Sequence, residues 1–100
     1  MHGVLSHHRW ARDMARALLR DGHQVYVITA VDNEQNSRQW VDSLEIPFTE
    51  VCCVFASSHE DAGEKKAAVM KEKGIEVLLD DVPPVIIGVR NHGLIGLHVA

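Results

Sequence analysis

The sequence predicts an α/β fold, a parallel sheet with helices packed on both of its faces, and three observations carry that prediction. Short aliphatic runs alternate with longer amphipathic stretches along the chain, the pattern of strand–helix–strand units rather than of hairpins. The clearest runs, Val25 to Thr29 and Ile75 to Leu79, are apolar at nearly every position, as strands buried on both faces are. Glycines follow two of the amphipathic stretches, at Gly22 and Gly74, where a helix end favours a left-handed residue. With 100 residues, the chain makes one small domain over 1–100.

Taken in order, Val4 and Leu5 are too few apolar residues for a strand with partners on both sides. Ser6 is placed to cap a helix over His7 to Asp21. Trp10, Met14 and Leu18 recur at i, i+4, i+8, with Ala11, Ala15 and Leu19 in the adjoining stripe, so this face is expected to point inward. Val25 to Thr29 is the first clear strand. Asp32 or Asn33 opens the next helix, Asp32 to Gln35 having capping-box spacing. That helix turns Trp40, Val41 and Leu44 inward and stops before Pro47. Val51 to Phe55 is a strand and Ala56 to Gly63 a polar loop. Ser58 or Asp61 caps a helix through about Lys73, with Ala67 and Met70 on its buried side. The strand from Ile75 follows, ending at Asp80 and Asp81. Val85 to Asn91 is short and β-branched, and Pro84 at a first helical position favours helix over strand. His92-Gly93 turns the chain into a final strand, Leu94 to Val99. A doubly wound sheet also wants a strand before its first helix, and that one is missing.

Bulk properties exclude several classes. A net charge of −4 leaves no nucleic-acid footprint, and no apolar run reaches membrane-spanning length, so neither nucleic acid nor membrane is expected as a partner. No signal-peptide stretch is visible near Met1. Cys52 and Cys53, as strand neighbours, point to opposite faces and cannot bond each other, which fits a reduced, cytoplasmic setting. The seven histidines are scattered, without metal-ligand spacing. No glycine-rich phosphate loop follows any strand.

Chemistry-bearing residues gather at strand ends and a helix start. Thr29 closes a strand, Lys65 and Lys66 lie early in the third long helix, and Asp80-Asp81 close a later strand. The carboxyl ends of parallel strands are where α/β proteins bind ligands. Two adjacent acids there either cap the following turn or share a divalent cation such as Mg²⁺. A hydroxyl, an ammonium and an acid pair with Mg²⁺ are the parts that hold a phosphoryl group and offset its charge.

On these residues the chain resembles the haloacid-dehalogenase-like (HAD-like) hydrolases, most of which are Mg²⁺-dependent phosphatases with a Rossmann-like three-layer α/β/α sheet. The family's second motif, a strand ending in Ser or Thr, matches Val25-Tyr26-Val27-Ile28-Thr29-Ala30. Its third, a Lys opening a helix, matches the stretch from Lys65 to Gly74, and the family's Lys-to-Gly spacing favours Lys66 over Lys65. Its fourth, a strand ending in two acids, matches Leu78-Leu79-Asp80-Asp81.

The first motif departs from the pattern. Gly3-Val4-Leu5 fits its tail, His2 stands where the general acid/base Asp belongs, and the nucleophilic Asp would fall ahead of Met1. In this fold the strand before that motif is the centre of the sheet, so the resemblance implies a sheet lacking most of its first, central strand. Its neighbours would then face each other across a gap, with open edges that favour closure or self-association.

By this resemblance the substrate is a small phosphomonoester or nucleotide, as in the small deoxyribonucleotidase-like and phage branches, and activity is impaired because no aspartyl-phosphate can form. Thr29, Ala30 and Lys66 would bind substrate, Asp80 and Asp81 would hold Mg²⁺, and Lys66 and His2 would be the catalytic groups. The alternative is a non-catalytic fragment or binding domain acting through Mg²⁺, phosphate or a protein partner. A receiver domain ranks below both, because its acid pair follows the first strand and its Lys the last.

Overall fold

The computed structural model describes residues 2–30 and 34–99, and the side chains within them except at 2, 3, 34, 35 and 37. Among the described residues nine elements follow one another: α1 (His2–His7), α2 (Arg9–Arg20), β1 (Tyr26–Ala30), α3 (Glu34–Ser43), β2 (Glu50–Val54), α4 (His59–Lys73), β3 (Val77–Asp80), α5 (Pro83–Asn91) and β4 (Ile95–His98). The α/β alternation is as the sequence predicts, with strand ends shifted by a residue or two.

The first helix differs from the expectation. Ser6 caps nothing. It lies inside α1, and the chain breaks at His8, whose extended backbone (φ −128°, ψ 102°) starts α2. Val4 and Leu5, both buried, anchor this extra turn against the strands. Helix α2 ends as its sequence directs. Gly22 takes φ 88°, the Gly22 N–H donates to Leu19 O (3.1 Å) and the His23 N–H to Leu18 O (2.9 Å), the paired bonds of a Schellman cap. The Asp32–Gln35 capping box falls outside the described residues.

Helix α4 begins at Ser58, which settles the choice of cap: its hydroxyl accepts the Asp61 N–H at 3.0 Å. Gly74 ends it at φ 70°. Val85 to Asn91 is helical, with proline in the first turn of α5. Helices α4 and α5 cross closely through two glycines. A Cβ on Gly88 would lie 3.1 Å from the Gly63 Cα, and one on Gly63 would lie 3.1 Å from the Pro84 carbonyl oxygen.

The strands form two parallel pairs rather than one sheet. β1 pairs with β2 from Tyr26 opposite Glu50 to Ala30 opposite Val54, and β3 pairs with β4 from Val77 opposite Ile95 to Asp80 opposite His98. Two cores hold the pairs together. Ile28, Val54 and Leu78 pack with Ala67 and Met70 of α4 and Val85 and Val89 of α5. Val27 packs on the other side with Val4, Leu5, Ala11 of α2 and Val41 of α3. Consecutive residues of β1 therefore feed opposite cores, which explains its unbroken apolar run.

Where the two pairs fail to meet, apolar surface stays open. Trp10, Met14 and Leu18, expected to point inward, are 47%, 37% and 36% exposed, while the adjoining Ala11 and Ala15 are buried. In β3 only Leu78 and Asp80 are buried and Val77 is exposed, so the expectation of a strand covered on both faces holds for β1 and not for β3. Met14, Leu18, Tyr26, Ile28, Val77 and Leu79 are among the residues that line a cavity of about 520 Å³ bordered by β1 and β3. No described helix is long and apolar enough to cross a membrane.

Candidate functional site

The acid pair sits where β3 ends. Asp80 is the strand's last residue, and its own backbone C=O accepts the Val99 N–H at 2.9 Å, which ties the strand end to the residue just past β4. Its carboxylate is fully enclosed and both oxygens are engaged. Oδ2 accepts Lys66 Nζ at 2.7 Å, and Oδ1 accepts the Val82 N–H at 3.0 Å. Lys66 comes from the second turn of α4, between the buried Gly63 and Ala67 and one turn before Met70, and is as enclosed as its partner. A buried ammonium needs a counter-charge, and a buried carboxylate needs donors, so the two residues explain one another.

Burial pushes the Asp80 carboxyl up. Nearby positive charge, the Lys66 ammonium included, and the hydrogen bonds to Lys66 and Val82 more than offset that, so the group titrates below its ordinary value of 3.8. Asp80 is therefore ionised at neutral pH.

The neighbouring lysine is separate. Lys65 points to the surface, where it pairs with Asp61 at 3.2 Å and donates to the Phe55 carbonyl. Of the two lysines, Lys66 is the one joined to the acids. Asp81 lies in a bend just past β3 and is exposed, so the two adjacent acids have different surroundings: Asp80 is locked and Asp81 is open to solvent. Thr29 is buried near the carboxyl end of β1, opposite Cys53 in register, and Ala30 after it is exposed. These two belong to the other strand pair. The His2 backbone opens α1, and its side chain lies outside what the structure describes.

A donor set for Mg²⁺ follows from this arrangement. Mg²⁺ keeps several waters and takes one or two carboxylates, with phosphate oxygens completing the shell. Asp81 offers an exposed carboxylate, and Asp80 stands next to it, held by Lys66 and the Val82 N–H. That fits a hydrated ion shared with a phosphate. It does not fit a cage built by protein alone, and among the described residues no cluster of three His, Cys, Asp or Glu side chains forms one.

Other nucleophiles are poorly placed. Burial, followed by the Glu50 carboxylate, pushes the Cys52 thiol up, and neither cysteine is in a disulfide. A thiol raised in this way is a weak nucleophile. Sequence reasoning missed a polar cluster between α4 and the end of α5. Lys71 Nζ lies 2.9 Å from His92 Nδ1, and His92 Nε2 lies 2.6 Å from Glu64 Oε2. Glu64 and Lys71 are seven residues apart on α4, a spacing that puts them on one helix face, but nothing in the sequence marks His92 as their partner.

No family model, no curated protein and no solved structure matches the chain.

Proposed function

We propose that the chain is a HAD-like phosphohydrolase domain, of Rossmann-like three-layer type, that handles a small phosphomonoester or nucleotide with Mg²⁺ and is impaired in hydrolysis as it stands. The observation that carries this reading is the enclosed Lys66–Asp80 pair, 2.7 Å apart, at the carboxyl end of a parallel strand and next to the open carboxylate of Asp81. Thr29 near a strand end, a helix-borne lysine and strand-end acids follow one another in the order the resemblance implies. Asp81 is the direct ligand for Mg²⁺, with Asp80 behind it. The ion would supply positive charge to the phosphoryl oxygens. Lys66, held by Asp80, adds a fixed positive charge at the same strand end, and Thr29 and Ala30 contribute a hydroxyl and backbone groups from β1.

Impairment follows from the first motif. Within these hundred residues none matches the family's nucleophilic Asp, so on their own they are expected to turn over slowly, since losing a covalent nucleophile commonly costs several orders of magnitude. The experiment is Mg²⁺-dependent release of phosphate from a generic phosphomonoester by the chain and by Asp80→Asn. Both are expected near background. Robust turnover by the unaltered chain that Asp80→Asn abolishes would overturn the impaired reading and make His2 the nearest candidate for the attacking group. The alternative, a non-catalytic binding domain, draws support from the uncovered apolar cavity beside β1 and β3.

A further inference from the structure

We propose that Lys71 is a site of covalent acylation, an amine nucleophile served by His92 and Glu64 that takes the acyl group of an uncharged activated ester. The site lies between α4 and the end of α5. It uses none of the residues at the end of β3, so it stands apart from the phosphate reading.

The geometry is a chain of two contacts. Lys71 Nζ lies 2.9 Å from His92 Nδ1, and His92 Nε2 lies 2.6 Å from Glu64 Oε2. The partners assign the tautomer of the ring. A lysine nitrogen brings N–H to the contact and an ionised carboxylate only accepts, so Nε2 carries the proton and Nδ1 turns its lone pair to Lys71. A nucleophile within reach of a base, with the base oriented by a third group, is the arrangement that activates a side chain for covalent chemistry. The ring is also fixed in place. His92 caps α5, its N–H donating to Val89 O at 3.2 Å, and Gly93 turns the chain after it at φ 75°.

The other lysines meet different groups. Lys65 faces Asp61 and the Phe55 carbonyl, Lys66 faces Asp80, and Lys73 faces Glu50. A carboxylate favours the protonated ammonium, whereas a neutral imidazole can take a proton near neutral pH. Lys71 is exposed and the His92 side chain is 31% exposed, so a reagent can reach the pair. Glu60 and Glu64 border one hollow with Ile87 and Asn91, and their charge favours an uncharged donor over an anionic one such as an acyl phosphate.

The step balances without a further reactant. The amine form of Lys71 adds to the acyl carbon, the N–C bond forms and the carbonyl electron pair moves to oxygen. The N–H made acidic by that bond gives its proton to His92 Nδ1, and the Glu64 carboxylate offsets the charge the ring gains. The carbonyl re-forms, the C–O bond to the leaving group breaks, and the leaving oxygen departs with the electron pair. The resulting amide carries no charge.

The test treats the whole chain with p-nitrophenyl acetate and follows acetylation at each lysine by peptide mass spectrometry. Lys71 should react about tenfold faster than Lys65 or Lys73, less than general-base help can supply at an enclosed site. His92→Gln should bring Lys71 down to the rate of Lys73. Glu64→Gln, which leaves the lysine and the ring in place, should slow it by a smaller factor. Reaction at Lys71 should also run slower in heavy water, because a proton moves in the step, and His92→Gln should remove that effect. Lys66 reports folding, since it is buried and stays unmodified while α4 is packed. The proposal is overturned if Lys71 of the unaltered chain reacts no faster than Lys65 and Lys73. It is also overturned if Lys71 keeps its rate in His92→Gln while Lys66 stays unmodified.

Discussion

Replacing Lys66 with methionine tests the enclosed ion pair directly. The two side chains are 6% and 1% exposed and 2.7 Å apart. Methionine keeps most of the stem and removes the charge, so the buried Asp80 carboxylate loses its Lys66 ammonium while the Val82 N–H bond remains. Breaking such a pair costs about 3–5 kcal/mol, a large share of the roughly 5–15 kcal/mol that holds a domain folded. With a urea slope of about 2 kcal/mol per molar, the unfolding midpoint should fall by roughly 1.5–2.5 M. The double variant Lys66→Met/Asp80→Leu removes both charges and should recover to within about 1 kcal/mol of the starting protein. The pH dependence has a defined sign. Asp80 titrates below its ordinary 3.8 when folded, so its contribution is fully present above that value and is lost as pH falls through the lower folded value. In Lys66→Met the buried carboxyl loses the lowering effect of that ammonium, so its pKa moves back up. The stability gap between the two proteins should therefore be widest at neutral pH and narrow below about pH 4. Urea titrations at neutral and acid pH read all of this. A Lys66→Met cost under about 1 kcal/mol, or strictly additive single effects in the double variant, would refute the reasoning.

Two further outcomes follow from packing and capping. Gly88→Ala should destabilise by about 1–3 kcal/mol in thermal unfolding, because its Cβ meets the Gly63 backbone at 3.1 Å and neither helix can shift a side chain out of the way. An unchanged melting temperature would mean that α4 and α5 do not pack as closely as this. Ser58→Ala should cost about 1 kcal/mol and fray the first turn of α4, whereas Ser58→Asp should keep the cap. Amide exchange at Asp61, whose N–H the Ser58 hydroxyl accepts, distinguishes them.

Much of the chain could be read in advance because its signals are local. The left-handed glycines at 22 and 74, the hydroxyl before α4 and the proline opening α5 each act on their own neighbours. The apolar run of β1 reported burial on both sides because α1–α3 and α4–α5 cover both. The same argument failed for β3 and for the stripe of Trp10, Met14 and Leu18. Periodicity shows which face is apolar, but not whether another element is there to cover it. The helical turn from His2 was missed because Ser6 is a good cap by type, while the burial of Val4 and Leu5, a tertiary effect, fixes the turn ahead of it. At the site, the strand-end acids and helix-borne lysine were visible as separate pieces. That Lys66 would grip Asp80 and leave Asp81 in solvent depends on how α4 lies over β3, across 14 positions of sequence.

Calorimetric titration with Mg²⁺, in the presence and absence of inorganic phosphate, tests the central claim most directly. The account predicts binding that phosphate strengthens, that Asp81→Asn removes because its exposed carboxylate is the direct ligand, and that Asp80→Asn weakens by releasing Lys66. Equal heats for the unaltered chain and both variants, with all three shown to be folded, would contradict it, and would leave the end of β3 as a buried ion pair that serves the fold alone.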